Sequence, residues 1–264
     1  MWSVIAVHGR AVRPQLLAVL AVMALLTVGS VPLLKTYVVV PTQAAPIPVI
    51  EPQVPQVEGI AISPPVDCSK VACMALTFDD GPSPTVTPQI LDILDRHNAK
   101  ATFFMIGWRI AGNEALVRRI HASGHEIGNH TWSHRDLSSL SPQEVEDEVA
   151  RAQNAITAAG VPAPNLFRAP YGAVDPMVRR HIPMTVVSWN IDPEDWHQKK
   201  PQKIIDHVLA YAKPGAIIDL HDIHQPTADA MDAMLTGLEQ NYHLVTVSEL
   251  LGLPPGQPGI FYGR

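Results

Sequence analysis

Between residues 74 and 247 the chain alternates short apolar runs with amphipathic stretches, and this alternation is the tightest constraint on its fold. The runs fall at 74–78, 101–106, 125–128, 166–168, 185–189, 216–220 and 244–247. Apolar runs this short, bounded by turn formers, read as strands. Between them, Thr87 as N-cap and Pro88 at N1 open a helix with Ile90, Leu91 and Leu94 on one face. Ser141-Pro142-Gln143-Glu144 is a capping box, followed by Val145, Val149, Ala152 and Ile156 at helical spacing and a stop at Gly160. A third helix begins at Pro201 and carries Ile204, Ile205, Val208 and Leu209; a fourth carries Ala230, Met231, Met234, Leu235 and Leu238. Strands separated by helices pair in parallel, with the helices packed outside. Seven such strands suit a closed or nearly closed α/β barrel, and an apolar content of 47% over 264 residues is enough to fill one.

The first 67 residues read differently. Arg10 and Arg13 precede an uncharged apolar run at 16–34 that Lys35 closes. It is at the short end of the ~17–25 residues that span a bilayer, and the arginines predict an N-in, C-out orientation. Thr42-Gln43-Ala44 also offers a small-residue cleavage site, so residues 1–40 read as a single-pass anchor or a signal peptide. Either way the rest is exported. A buried core helix fits poorly because the run has no amphipathic face. Residues 41–67 form a linker rich in proline, with Pro41, Pro46, Pro48, Pro52, Pro55, Pro64 and Pro65, and such segments stay extended. The catalytic domain is expected at 68–252 and a tail at 253–264. Cys68 and Cys73 are the two cysteines of the chain, and outside the cytoplasm so close a pair reads as a disulfide. Their spacing is not C-x-x-C and no second pair exists, which argues against a thiolate metal site. A net charge of −6 without a long basic run argues against nucleic acid as partner and is compatible with a neutral glycan.

Polar residues with chemical capability follow five of the seven strands, the place where barrel enzymes build their sites. Thr77-Phe78-Asp79-Asp80-Gly81-Pro82 puts two carboxylates at a strand end; on extended chain they point opposite ways, so one can bind metal while the other faces substrate. His130 and His134, four apart in His130-Thr131-Trp132-Ser133-His134, share a face if they lie on one helical turn. With Asp80 they supply two nitrogens and one oxygen, the three-ligand pattern of catalytic zinc. Arg168-Ala169-Pro170-Tyr171-Gly172 offers a fixed cation that can pair with a carboxylate, and a turn whose N–H groups can face an oxyanion. Asp192-Pro193-Glu194-Asp195-Trp196 and Leu220-His221-Asp222 complete the set. Each alone reads as an ordinary turn, acidic loop or surface histidine. Their joint occurrence at strand ends does not.

In this order, T-F-D-D-G-P, G-H-E-I-G-N-H-T-W-S-H, R-A-P-Y-G, D-P-E-D-W and L-H-D resemble the motifs of the polysaccharide deacetylases of carbohydrate esterase family four, the NodB-homology domain. The resemblance covers about residues 73–250. It implies a distorted (β/α)7-type barrel, one divalent metal ion, zinc above all, and a polysaccharide as partner. It further implies Asp79 as base, Asp80, His130 and His134 as metal ligands, and Arg168 as the partner of Asp79. Tyr171 would turn its backbone N–H to the oxyanion, His221 would be the acid oriented by Asp195, and Trp196 would line the pocket. The expected reaction is removal of N-acetyl groups from peptidoglycan or chitin-type oligomers. Alternatives are O-deacetylation of acetylxylan and an impaired glycan-binding homologue; a metallophosphatase fits less well, having no phosphate loop here.

One position departs from the family. Two residues before the acid histidine its members usually carry an apolar side chain that holds the acetyl methyl, and here it is Asp219. Residues two apart on a strand share a face, so Asp219 and His221 are both expected to face the pocket. There a charged Asp219 would raise the pKa of His221 and make the methyl pocket polar.

Overall fold

The computed structural model describes residues 66–264 apart from 253, 255 and 256. The anchor or signal segment at 1–40 and nearly all of the linker lie outside the described residues. Among the described residues no helix is long and apolar enough to cross a membrane.

Among the described residues eight strands and seven α-helices follow one another as β1 Cys73–Asp79, α1 Thr87–Arg96, β2 Ala101–Met105, α2 Glu114–Ala122, β3 Glu126–Asn129, α3 Pro142–Ala158, β4 Leu166–Phe167, α4 Pro176–Arg180, β5 Thr185–Val187, α5 Pro201–Tyr211, β6 Ile217–His221, α6 Gln225–Leu238, β7 His243–Val245, α7 Val247–Leu251 and β8 Ile260–Phe261. The sheet runs β6-β1-β2-β3-β4-β5-β8, with β7 paired to the first residues of β1. All strand pairs are parallel. Ring closure is weak and comes from two isolated bridges, Ile191 to Ile218 and Ala216 to Gly263. The result is a distorted α/β barrel.

Strand β1 is buried along its whole length, as expected where both sheet faces are covered. Its side chains alternate between two cores. Met74, Leu76 and Phe78 meet the helices, with Phe78 stacked on Phe103 at 5.0 Å. Cys73 and Ala75 instead join Phe104, Leu166, Val187, Ile217 and Val245. Thr77 and Asp79 on β1 and Asp219 on β6 are polar residues buried in this setting.

Several boundaries differ from the sequence-based expectation, each for a local reason. The run at 244–247 ends as a strand at Val245 because Thr246 caps α7, its N–H donating to Glu249 Oε2 at 2.9 Å while Glu249 N–H donates to Thr246 Oγ1. Helix α1 is capped by Val86, not Thr87; Thr87 Oγ1 accepts the Ser83 N–H at 2.8 Å and donates to Asp222. Runs 166–168 and 185–189 shorten to two and three residues. The segment at 253–264, read as a tail, carries β8: Val186 N–H donates to the Gly259 carbonyl and Ser188 N–H to the Phe261 carbonyl, at 3.1 and 2.7 Å. Cys68 and Cys73 are joined by a disulfide at the start of β1.

Candidate active site

Strand β1 delivers Asp79 at its last position, and the chain then turns at Asp80 with φ 72°. That left-handed turn corrects the reading from alternation: instead of diverging, the two carboxylates reach the same histidine. His130 Nε2 lies 3.6 Å from Asp79 Oδ2 and 3.6 Å from Asp80 Oδ1. The turn also needs Gly81, where a Cβ would sit 2.2 Å from Asp222 Oδ1. Asp222 is buried beneath it, hydrogen-bonded to Thr87, and burial pushes its pKa up to about 7.

His130 and His134 follow β3, but not on a helical turn. Thr131 and His134 adopt φ of 67° and 60°, folding the segment into a crimped loop. Asn129 Oδ1 accepts the Thr131 N–H at 2.9 Å, and Thr131 Oγ1 accepts the His134 N–H at 3.0 Å. Glu148 on α3 accepts the Ser133 N–H at 2.8 Å and its hydroxyl at 2.7 Å. His130 Nδ1 sits 2.8 Å from the Arg168 carbonyl oxygen, which makes Nδ1 the protonated nitrogen and leaves Nε2 as a lone pair aimed at Asp80.

Asp80, His130 and His134 thus turn one ligand atom each toward a common point, all within 4.8 Å of one another. Two ligands of one tetrahedral ion, each ~2.0–2.2 Å from it, stand about 3.4 Å apart. His134 Nε2 to Asp80 Oδ1, at 3.3 Å, and His130 Nε2 to the same oxygen, at 3.6 Å, match that separation. Asp80 Oδ1 is buried without a hydrogen-bond partner, the state of an atom whose natural partner is a cation. Burial and then the neighbouring His130 lower the pKa of His134, favouring the neutral imidazole that coordinates metal. The residues fit a divalent ion.

Arg168, the residue after β4, is 0% exposed, with its guanidinium over the Phe104 ring at 4.3 Å. Nε donates to the Val187 carbonyl and Nη2 to that of Ser188, both at 3.2 Å. Nη1 donates to Thr77 Oγ1 at 2.7 Å, Asp79 Oδ1 at 2.8 Å and Asp219 Oδ1 at 2.7 Å. Asp219 does face inward, as its strand parity requires. Yet it is 4% exposed and engaged by Arg168, so it does not line an open methyl pocket.

Across the site, His221 closes β6. Its Nδ1 lies 2.7 Å from Asp195 Oδ1, and its N–H donates to Asp195 Oδ2 at 2.8 Å. Thr227 on α6 donates to Asp195 Oδ2 at 2.5 Å. Burial opposes the charged imidazole, but the Asp195 hydrogen bond and charge, helped by Asp219 and Asp79, outweigh it and hold the pKa at about 10. The Tyr171 ring stands edge-on to His134 at 4.8 Å, at a residue with φ 61°. Tyr171 and Trp196 are 71% and 53% exposed, both on loops that follow barrel strands. Sequence reasoning gave no role to Asn129, Glu148, Asp222 or Thr227. Asn129 and Asp222 stand inside quoted motifs, whereas Glu148 and Thr227 lie on helices with no local signal.

The arrangement can hold one divalent ion, keep a carboxylate base on a fixed cation, and offer a charged imidazole opposite. Residues 67–183 match the polysaccharide deacetylase family model. The chain is 44% identical over 180 residues to the peptidoglycan-N-acetylglucosamine deacetylase PgdA of Listeria monocytogenes, covering 68% of this chain and 39% of that protein. It therefore spans about two fifths of that relative's length. It is also 44% identical over 164 residues to a chitooligosaccharide deacetylase of a Bradyrhizobium species, covering 61% and 75% of the two chains. Among solved structures, peptidoglycan deacetylase PdaC from Bacillus subtilis superposes with a TM-score of 0.69 at 40% identity, over 71% of this chain and 93% of the other. With the same barrel and a relative covered over three quarters of its length, the chain belongs to the polysaccharide deacetylase family.

Proposed function

We propose that this protein hydrolyses N-acetyl groups from a polysaccharide built on N-acetylglucosamine, peptidoglycan or a chitin-type oligomer, using one divalent ion, zinc. The observation that carries the proposal is Asp79 bound to Arg168 through Oδ1 while its Oδ2 faces the three-ligand cluster. Asp80, His130 and His134 would hold a divalent ion, which when bound would supply Lewis acidity toward the acetamide carbonyl and make water easier to deprotonate.

The remaining steps fall to the side chains. Asp79 takes the proton of the attacking water on Oδ2, while Oδ1 stays anchored. The backbone N–H of Tyr171 faces the oxyanion that forms on the carbonyl. His221, charged at neutral pH, gives its Nε2 proton to the departing amine, which leaves poorly without it. Asp195 fixes the ring through Nδ1. Trp196 flanks the sugar. We further propose that residues 1–40 export the chain and that 41–67 space the domain from a membrane, placing it outside the cytoplasm near wall glycan.

The test is acetate release by the full-length protein, zinc added, from N-acetylated peptidoglycan, chitotetraose and acetylxylan. Release from either of the first two, abolished by a chelator and restored by zinc, is the expected result. Release from acetylxylan alone would make it an O-deacetylase, and release from none would leave a glycan-binding homologue.

A further inference from the structure

Arg168 has three side-chain acceptors on one nitrogen, and Nη1 carries two hydrogens for them. Thr77 Oγ1, Asp79 Oδ1 and Asp219 Oδ1 all lie within 2.7–2.8 Å of it. Thr77 and Asp219 are register partners on adjoining strands β1 and β6, so the fold presents them to the guanidinium side by side. Thr77 in turn donates its hydroxyl to the Ile218 carbonyl at 2.6 Å. The other edge of the guanidinium is fixed by two backbone carbonyls, those of Val187 and Ser188.

We propose that Asp219 is a positioning residue for the base: it locks Arg168 from the side opposite β5, and so fixes Asp79 with Oδ2 toward the reacting water. The inference rests on the deacetylase reading above. Burial, and then the charge of Asp79, push the Asp219 carboxyl well above the usual range, against the pull of Arg168. Without an acceptor at 219, Nη1 keeps only Thr77 and Asp79, both on β1, so the guanidinium loses its tie to β6 and is free to swing, carrying Asp79 along. A base displaced by about 1 Å costs turnover far more than binding.

The experiment compares full-length, zinc-loaded Asp219→Leu, Asp219→Ser and Asp219→Asn with the wild type on chitotetraose. Asp219→Leu is expected to lower kcat on the order of 10- to 100-fold with KM nearly unchanged. Asp219→Asn keeps the acceptor and is expected to stay near the wild type. Asp219→Ser, too short to reach Arg168 and adding no bulk, carries the same expectation as leucine if leucine cannot be packed. Zinc affinity, measured by chelator competition, should hold in all three. A change in KM with kcat intact would put Asp219 in the acyl pocket and overturn the proposal. So would an unaltered kcat in the leucine and serine variants, or an asparagine variant as impaired as leucine. A wild type inert on every acetylated glycan would instead defeat the deacetylase reading.

Discussion

Asp79 and Asp80 are neighbours in sequence with opposite surroundings, and that contrast predicts their separate failures. Asp79 is tied to a cation, whereas Asp80 Oδ1 is buried and unpartnered. Asp79→Asn should leave zinc bound and the fold intact while cutting turnover by ~10²-fold or more, the scale of general-base loss. Kinetics beside a zinc titration would check this; loss of zinc would show that the two roles are exchanged. His221 gives a second prediction. Its pKa is raised from 6.5 to about 10, so its contribution to stability is full below about pH 6.5 and lost as pH rises through about 10. On the proposed role of His221 as acid, activity needs the charged form as well. Asp195→Asn removes the charge that holds the pKa up, so the alkaline limb of kcat/KM should move to lower pH. An unmoved limb would take Asp195 out of that role. The identities of these residues were legible from their motifs. Their arrangement was less so, because the positive φ at Asp80 and Thr131 is a property of backbone that alternation and helical spacing cannot express.

Among the elements, α3 does most to shape the site from a distance. Its capping box is present as the sequence announces, Ser141 Oγ accepting the Glu144 N–H while the Glu144 carboxylate accepts the Ser141 N–H. Capping boxes depend on four adjacent residues and are therefore readable locally. Glu148, about one turn after Glu144, is not readable in this way, since its partners at Ser133 are brought to it only by packing. Both oxygens of Glu148 hold the loop between His130 and His134. Replacing Glu148 with Gln keeps one acceptor and loses the charge-assisted bonds, so zinc affinity should fall by about tenfold, the lower end for outer-sphere partners. Chelator competition would measure it, and an affinity equal to wild type would mean that the loop holds its shape unaided. Short strands fared worst. Residues 166–167 and 185–187 are too few to show a period, and only Leu, Phe, Thr and Val in a parallel setting mark them as sheet.

At the scale of the molecule, the barrel was legible from seven alternating segments, and its closure was not. Closure rests on two isolated bridges, Ile191 to Ile218 and Ala216 to Gly263, and the second is reached only through Ile260 and Phe261, a two-residue strand with no pattern of its own. Deleting residues 259–264 removes the Gly259 and Phe261 acceptors on β5 and the bond from Arg264 N–H to the Gly215 carbonyl at 2.9 Å. Three backbone bonds at about 1 kcal/mol each amount to a fall in Tm on the order of 10 °C. The carbonyls of Val187 and Ser188 that hold Arg168 sit on this same stretch, so turnover should fall with it. A melting curve identical to that of the full chain would make the last strand an ornament.

The way the chain enters the barrel has a mechanical consequence. The disulfide joins Cys68 to Cys73, the first residue of β1, and the same strand ends at Asp79 beside the metal-binding cluster. Strand β1 is flanked by β2, β6 and β7, all parallel to it. A pull on the chain ahead of Val66 would pass through the covalent bridge and load β1 along its axis. Its hydrogen bonds to three strands would then share the force in shear, because ladder bonds lie across the strand rather than along it. They could not be unzipped one at a time. A protein drawn taut by an insoluble polymer while holding on to it would yield last at the strand that bears its chemistry.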